Sequence, residues 1–376
     1  IRTSLSPTDI GADAGNYTAS DIFTPYIDYT LLTSTTSTSN RTLLDVNIVD
    51  LGTGVPTSGG NIPKIWYKLN VGGTWVSNNG VLISGDANNG LWNFDIDYSK
   101  LGFGTPVNGD QIYYYVVTQD QATTPNIWCN PFVGASHGDV NTQTTPPTTP
   151  NSYYIATGIS GTYTIGIGET YTSFTRDEAG GFFKFLNNID GITSVIDGPI
   201  TAIVVSDISN ENGAVALGSL KSDELGPHLI TISPDGTIVR ELYCPSGTYA
   251  GDANKGLFTF SGASNLVIDG SYNGEGKYLS LDNRHAGSGR NCVYFENDAH
   301  DITIKNCYIK AVSFADYSKF YADVYFGNGL TTGNYNITID NNDIGNGSYV
   351  NSRVYSNNTI ANTFNRDINI TNNNIF

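Results

Sequence analysis

Near its C-terminus the chain repeats one short arrangement of apolar and polar positions. Residues 301–310 read "DITIKNCYIK", residues 336–345 "NITIDNNDIG" and residues 367–376 "DINITNNNIF". All three fit the frame I-x-I-x-N-x-x-I. It is filled by Ile302, Ile304, Asn306 and Ile309, by Ile337, Ile339, Asn341 and Ile344, and by Ile368, Ile370, Asn372 and Ile375. A weaker copy, "NLVIDGSYN", carries Leu266, Ile268 and Gly270, and successive first positions lie 36, 35 and 31 residues apart. An I-x-I pair sends two side chains to the same face of a strand. Asparagine tolerates the left-handed backbone region better than other non-glycine residues, so it suits a bend. Each copy follows an aromatic phrase: "GLFTFSG", "CVYFEN", "DVYFGNG" or "RVYSNN". One unit is therefore an aromatic strand, a variable turn, an Ile-x-Ile strand, a bend at Asn and a third short strand. This is the grammar of a right-handed parallel β-helix, with isoleucine ladders inside and asparagine ladders at the corners. A meandering antiparallel sheet would give no reason for identical bends at matched positions.

The β-helix is expected over residues 153–376. A helix over about 174–186 is expected to cap its first turns. Thr175 and Glu178 fit a capping box there, and Phe174, Phe182, Phe183 and Leu186 fit one apolar stripe. Gly180 and Gly181 weaken that helix. Phe376 follows directly on a repeat, so the solenoid is expected to continue beyond it and to be incomplete at its C-terminus.

The periodicity differs before residue 140. Short strands alternate with Gly/Asn/Asp turns, which predicts an immunoglobulin-like or fibronectin-III-like β-sandwich over 28–140. Its expected inward sets are Leu44, Val46 and Ile48; Ile65, Tyr67 and Leu69; Trp92, Phe94 and Ile96; and Ile112, Tyr114 and Val116. "NTQTTPPTTPNS", residues 141–152, has the composition of an extended linker. Residues 1–27 read as the tail of a preceding module. The fold class is thus all-β, a sandwich followed by a solenoid.

Composition narrows the function. Charged residues are only 14% of the 376, and the net charge is −17. Such a surface repels nucleic acid and anionic membranes and suits sugars, basic partners or divalent cations. No stretch of 18 apolar residues is present. Cys129, Cys244, Cys292 and Cys307 form no C-x-x-C pair, which argues against zinc and redox motifs. The spacing leaves their disulfide state open, with buried thiols as the default. The chain contains no Met, so Ile1 is expected to lie inside a longer protein.

Three stretches together resemble a known group of proteins. "SGTYTIGIGETYTSFT", "FFKFLNNIDGI" and "GPITAIV" (residues 160–204), followed by "GLFTFSGASNLVIDGS", are similar to β-helix modules of large surface adhesins exported by the type IX system of Bacteroidetes, gliding-motility adhesins among them. "VPTSGGNIPKIWYKLNVGGTW" and "GDQIYYYVVTQD" resemble the Ig-like modules that alternate with them. "SPTDIGADAG" (residues 6–15) resembles the tail that closes such a β-helix. The resemblance implies an extracellular or cell-surface, non-enzymatic structural and adhesive segment. Its partners would be surface glycans, surface proteins and neighbouring modules of the same chain.

Two rival functions have candidates in the residues. Parallel β-helices also cleave polysaccharides, using carboxylates and a basic residue on a lateral face. Asp269, Lys305 and Asp340 share one frame position and are expected to stack in an outward column; Asp282 and Asp323 are further carboxylate candidates. A glycan-binding module would instead use exposed Tyr and Trp. "GASHG", residues 134–138, matches G-x-S-x-G but lacks the strand-turn-helix setting that a nucleophile elbow needs. His137, His228, His285 and His300 have no ligand spacing. No cofactor is expected except Ca²⁺, for which Asp86 in "SGDANNG" and Asp252 in "AGDANKG" are the candidates. The Asn-x-Ser/Thr sequons follow from the abundance of their residues.

Overall fold

A computed structural model describes residues 21–102, 104–250, 255–285, 291–311, 322–345, 352–357, 359–360 and 363–376. The chain is nearly all β, 49% strand and 3% helical. It divides into two compact units. One comprises Ile1–Leu32, Thr38–Pro106 and Asp110–Tyr153; the other comprises Thr33–Ser37, Val107–Gly109 and Tyr154–Phe376.

The first unit is antiparallel. Its ladder runs Tyr26–Asp28, Arg41–Val49, Asn89–Ile96, Val76–Gly85, Lys64–Leu69, Gln111–Gln119 and Asn151–Tyr154, with Ile127–Asn130 also on Gln111–Gln119. Val76–Gly85 changes partner along its length: Val76–Asn79 pairs with Lys64–Tyr67, and Gly80–Gly85 with Gly90–Phe94. Trp92, Phe94, Ile96, Ile65, Tyr67, Ile112, Tyr114 and Val116 are all fully buried, as their alternation predicts. Leu44 is corrected. A bulge between Leu43 and Val46 places Asp45 at φ 53°, so Leu43 faces inward and Leu44 is 58% exposed. Period-two reading fails across a bulge because one residue is left unpaired. Tyr115 and Val117 are buried as well, so Gln111–Gln119 is covered on both faces, the second with Cys129 and Val140. The Pro/Thr stretch 141–152, expected as an extended linker, contributes residues to two pairings. Thr142–Thr145 pairs with Ser136–Asp139, and Asn151–Tyr154 joins the main ladder. Thr142, Thr144 and Thr145 act as strand formers ahead of the prolines.

The second unit is a parallel β-solenoid of about five turns. Its first sheet stacks Thr157–Ile165, Ser194–Val204, Ile230–Pro234, Ser264–Asp269, His300–Lys305, Tyr335–Asp340 and Arg366–Thr371. The second stacks Arg240–Cys244, Leu279–Asn283, Cys307–Ala311, Asp343–Ile344 and Asn374–Ile375. The third stacks Gly256–Ser261, Asn291–Glu296, Ala322–Phe326 and Ser352–Ser356. The repeated phrase lies in register. Leu266, Ile302, Ile337 and Ile368 align, as do Ile268, Ile304, Ile339 and Ile370. Leu281, Ile309, Ile344 and Ile375 form the facing ladder. Each isoleucine of the two inner copies is at most 1% exposed, worth about 1.5–3 kcal/mol apiece. In the third sheet Phe260, Phe295 and Phe326 stack at 5.5 and 5.0 Å.

The corners are built by Asx residues. Asn306, Asn341 and Asn372 sit at φ 57°, 50° and 54°. A second Asx column, not anticipated, precedes each first isoleucine: Asn265, Asp301, Asn336 and Asp367 at φ 55°, 53°, 51° and 53°. One position beyond the first corner, Asn342 is fully buried. Its Oδ1 accepts from the Cys307 N–H at 2.9 Å, and its Nδ2 donates to the Ile304 carbonyl at 2.9 Å. Asn373 repeats this one turn on, accepting from the Asn342 N–H at 2.8 Å and donating to Ile339 at 2.7 Å. Cys307 occupies the same place, and its thiol donates to the Lys305 carbonyl at 3.1 Å.

The expected helix over 174–186 is shorter. It spans Phe182–Asn187 and starts at Gly181 with no side-chain cap. Thr175 does not cap it, because its hydroxyl and N–H, with the Phe174 N–H, are held by the fully buried Glu211 carboxylate at 2.5–2.8 Å. Glu178 pairs with Arg176 instead, at 2.6 Å. A Cβ on Gly181 would lie 2.1 Å from the Arg176 carbonyl, so the chain turns tightly there before the helix begins. Phe174, Phe182, Phe183 and Leu186 are nevertheless all fully buried in the solenoid core.

Candidate functional site

The lateral column predicted from the repeat is present. Asp269, Lys305, Asp340 and Thr371 follow one another in the register of the first sheet. The pleat sends them outward because Ile268, Ile304 and Ile339 beside them point in. Lys305 Nζ lies 3.2 Å from Asp269. Asp269 also accepts from Asn306 Nδ2 at 2.8 Å and from the Ser271 N–H at 2.9 Å. Asp340 accepts from Thr371 Oγ1 at 2.7 Å and Asn372 Nδ2 at 2.8 Å. Partial burial pushes the Asp269 carboxyl up, but the bonds from Asn306, Ser271 and Lys305 outweigh it and hold it below the usual range. Asp340 is held low chiefly by Thr371, then by Asn372. Both groups stay ionised at neutral pH. A general acid needs a carboxyl raised toward neutrality, and neither has that setting.

The outward face of the second sheet carries a second charged set. Arg284 bridges Asp282 and Glu241, each at 2.8 Å, and lies 3.8 Å above the Tyr243 ring. Lys277 meets Asp343 two turns on at 2.5 Å. Asp323 does not join this face. It is fully buried, accepts from the Ala311 N–H at 2.5 Å and pairs with Arg353 at 3.0 Å. Burial lifts its carboxyl to about 6 against the pull of Arg353. Its pKa suits acid–base work, but its position inside the wall keeps it from a substrate.

In the antiparallel unit Asp86 caps its own turn, accepting from the Asn88 and Asn89 N–H groups at 2.9 and 3.1 Å. Asp252 lies outside the described residues, as does the resembling tail at 6–15. Asp21, Asp50 and Asp120, by contrast, bring ligand oxygens within 4.8 Å of one another. Burial, then repulsion from Asp21 and Asp120, raises the Asp50 carboxyl. Their oxygens are of the type that a hard cation takes. The chain already engages them: Thr53 donates to Asp21 at 2.7 Å, Gly54 to Asp50 at 2.5 Å and Asn126 to Asp120 at 2.8 Å. Residues so far apart in sequence leave no spacing signal.

"GASHG" forms part of the hairpin Ser136–Asp139 with Thr142–Thr145, and no helix follows it. His137 packs 5.6 Å from Tyr115 and 6.5 Å from Trp66, and burial lowers its pKa. It lines a cavity of about 200 Å³ with Trp128 and Phe132, whose rings stack at 4.1 Å. His228 bonds Asp223 at 2.8 Å, and His300 stacks on Tyr335 at 4.6 Å. The four cysteines are free and buried. Among the described residues no helix is long and apolar enough to cross a membrane. No protein family, characterised protein or solved structure matches the chain when the two are compared.

Proposed function

We propose that this chain is a non-enzymatic structural and adhesive segment of a large secreted or cell-surface protein. Its antiparallel unit would be an Ig-like spacer and its solenoid a right-handed β-helical stalk. One observation carries the reading: every charged or amide side chain in the following set is engaged by another turn of the solenoid. Asp269 and Lys305 pair across adjacent turns, Lys277 reaches Asp343 two turns on, and Asp323 and Arg353 pair across adjacent turns inside the wall. Asn306 accepts from Asn341 at 2.7 Å, and Asn342 and Asn373 each serve the turn before. A chain whose side chains bind turn to turn gains length and stiffness at constant cross-section, which suits a stalk. The resemblance of residues 160–204 to modules of type IX-exported adhesins points the same way, toward an extracellular place and glycan or protein partners.

The test is mechanical and chemical together. Held between a surface and a bead, the full chain should transmit force without extending until the solenoid ruptures. Incubated with neutral and acidic polysaccharides, it should release no reducing or unsaturated ends. Cleavage that disappears in Asp269→Asn or Asp340→Asn chains would replace this reading with a polysaccharide-cleaving one.

A further inference from the structure

Beside the charged column of the first sheet runs an outward column that is not spent. The register aligns Thr162, Thr201, Thr231, Thr303 and Thr338, interrupted at Val267 and continued by Asn369. All are half-buried or exposed. Among the described residues none of these five hydroxyls makes a hydrogen bond, whereas Thr175, Thr331 and Thr371 each bind a carboxylate at 2.5–2.7 Å. Strand propensity explains a β-branched residue here, but Val267 shows that the fold accepts one without a hydroxyl. What the hydroxyls add is a row of uncharged groups, each able to donate once and accept twice. They recur at the strand spacing of about 4.8 Å, so the seven strands cover about 29 Å along the axis.

The partner that fits such a row must share its chemistry and its step. Acidic polymers are disfavoured by a net charge of −17. The adjoining carboxylates are already engaged, Asp269 by Lys305 and Asp340 by Thr371 and Asn372, so a cation gains little. A peptide strand would seek unpaired backbone groups, which lie at a sheet's edge and not on its face. An extended, β-linked hexose chain is uncharged, carries hydroxyls along its length and advances by close to one strand spacing per sugar. We infer that the threonine column of the first sheet binds an uncharged, extended β-linked polysaccharide lying along the solenoid axis. This deepens the adhesive reading and rests on it.

The experiment uses the full chain with insoluble cellulose and soluble mannan, and polygalacturonate as the charged comparison. The wild type should bind at least one neutral polymer, with little change on raising salt. Thr231→Val, Thr303→Val and Thr338→Val combined should weaken that binding by about tenfold or more, three hydrogen-bonding groups being lost. The triple variant should keep the wild-type midpoint of unfolding by circular dichroism. Binding unaffected by the three substitutions, preference for polygalacturonate, or no binding to either neutral polymer would overturn the inference. So would self-association abolished by the same substitutions, which would give the face to a second copy. A chain that binds no polysaccharide yet carries load leaves the stalk reading standing, so the two failures are distinguishable.

Discussion

Replacing Asn342 by alanine removes a side chain that closes two backbone gaps at a fully buried corner. The Cys307 N–H loses its acceptor at 2.9 Å, and the Ile304 carbonyl its donor at 2.9 Å. Each orphaned buried group costs about 1–3 kcal/mol, so the expected loss is about 2–6 kcal/mol. The chain supplies its own assay. All four tryptophans, Trp66, Trp75, Trp92 and Trp128, lie in the antiparallel unit. Tryptophan fluorescence therefore reports on that unit, and circular dichroism carries the solenoid transition besides. The alanine variant should lower the dichroism midpoint in urea and leave the fluorescence midpoint in place, and the Cys307 amide should lose exchange protection. Asn342→Asp sharpens the test. At neutral pH its carboxylate still accepts from Cys307 but faces the Ile304 carbonyl and Asn373 Oδ1 with no proton to give. It should be no more stable than the alanine variant there, and should recover in acid when the carboxyl gains a proton. An unchanged dichroism midpoint with Cys307 still protected would refute the corner argument.

Three further outcomes follow from the same geometry. Asn341→Val should cost about 1–2 kcal/mol from its left-handed φ of 50° alone, while Asn341→Gly should stay within about 1 kcal/mol, both read from urea midpoints. Ile304→Ala, at a fully buried position, should cost about 2–5 kcal/mol, and Ile370→Ala, 42% exposed, clearly less. Asp323 gives a pH signature. Its carboxyl is raised from 3.8 to about 6 in the folded chain, so between those values the folded state holds the extra proton. The contribution is fully present below the unfolded pKa and is lost as pH rises through about 6, amounting to about 3 kcal/mol. Asp323→Asn should flatten the dichroism-monitored stability between pH 4 and pH 7 by that amount; an unaltered slope would remove Asp323 as its source.

Much of the solenoid was legible because a solenoid repeats its reasons. Ile302, Ile304 and Ile309 recur because each turn needs the same inward contacts, and Asn306 recurs because each turn needs the same left-handed corner. The column of Asn265, Asp301, Asn336 and Asp367 was equally present in the phrases, immediately before each first isoleucine, but an apolar frame does not register it. The pairing of Asp323 with Arg353 was also written there: the two stand at the same place in "DVYF" and "RVYS", opposite charges one turn apart. Other features had no local signature. The bulge at Asp45 turns Leu44 outward through one backbone angle. Glu211 takes Thr175 from the expected helix across 36 residues. Asp21, Asp50 and Asp120 meet only through the fold.

The distribution of spent and unspent side chains bears on function more than any single residue does. Inward positions are fixed by packing, corner positions by backbone geometry, and the Asp269–Lys305 column by cross-turn pairing. A substitution in any of these is felt first as lost stability. The hydroxyls of Thr231, Thr303 and Thr338 differ, since among the described residues they bond to no neighbour. Replacing them with valine costs the fold nothing that Val267 does not already cost it. Strand formation draws on β-branching, which threonine and valine share. A lateral face that keeps hydroxyls in register over several turns is the face on which the proposed polysaccharide contact rests.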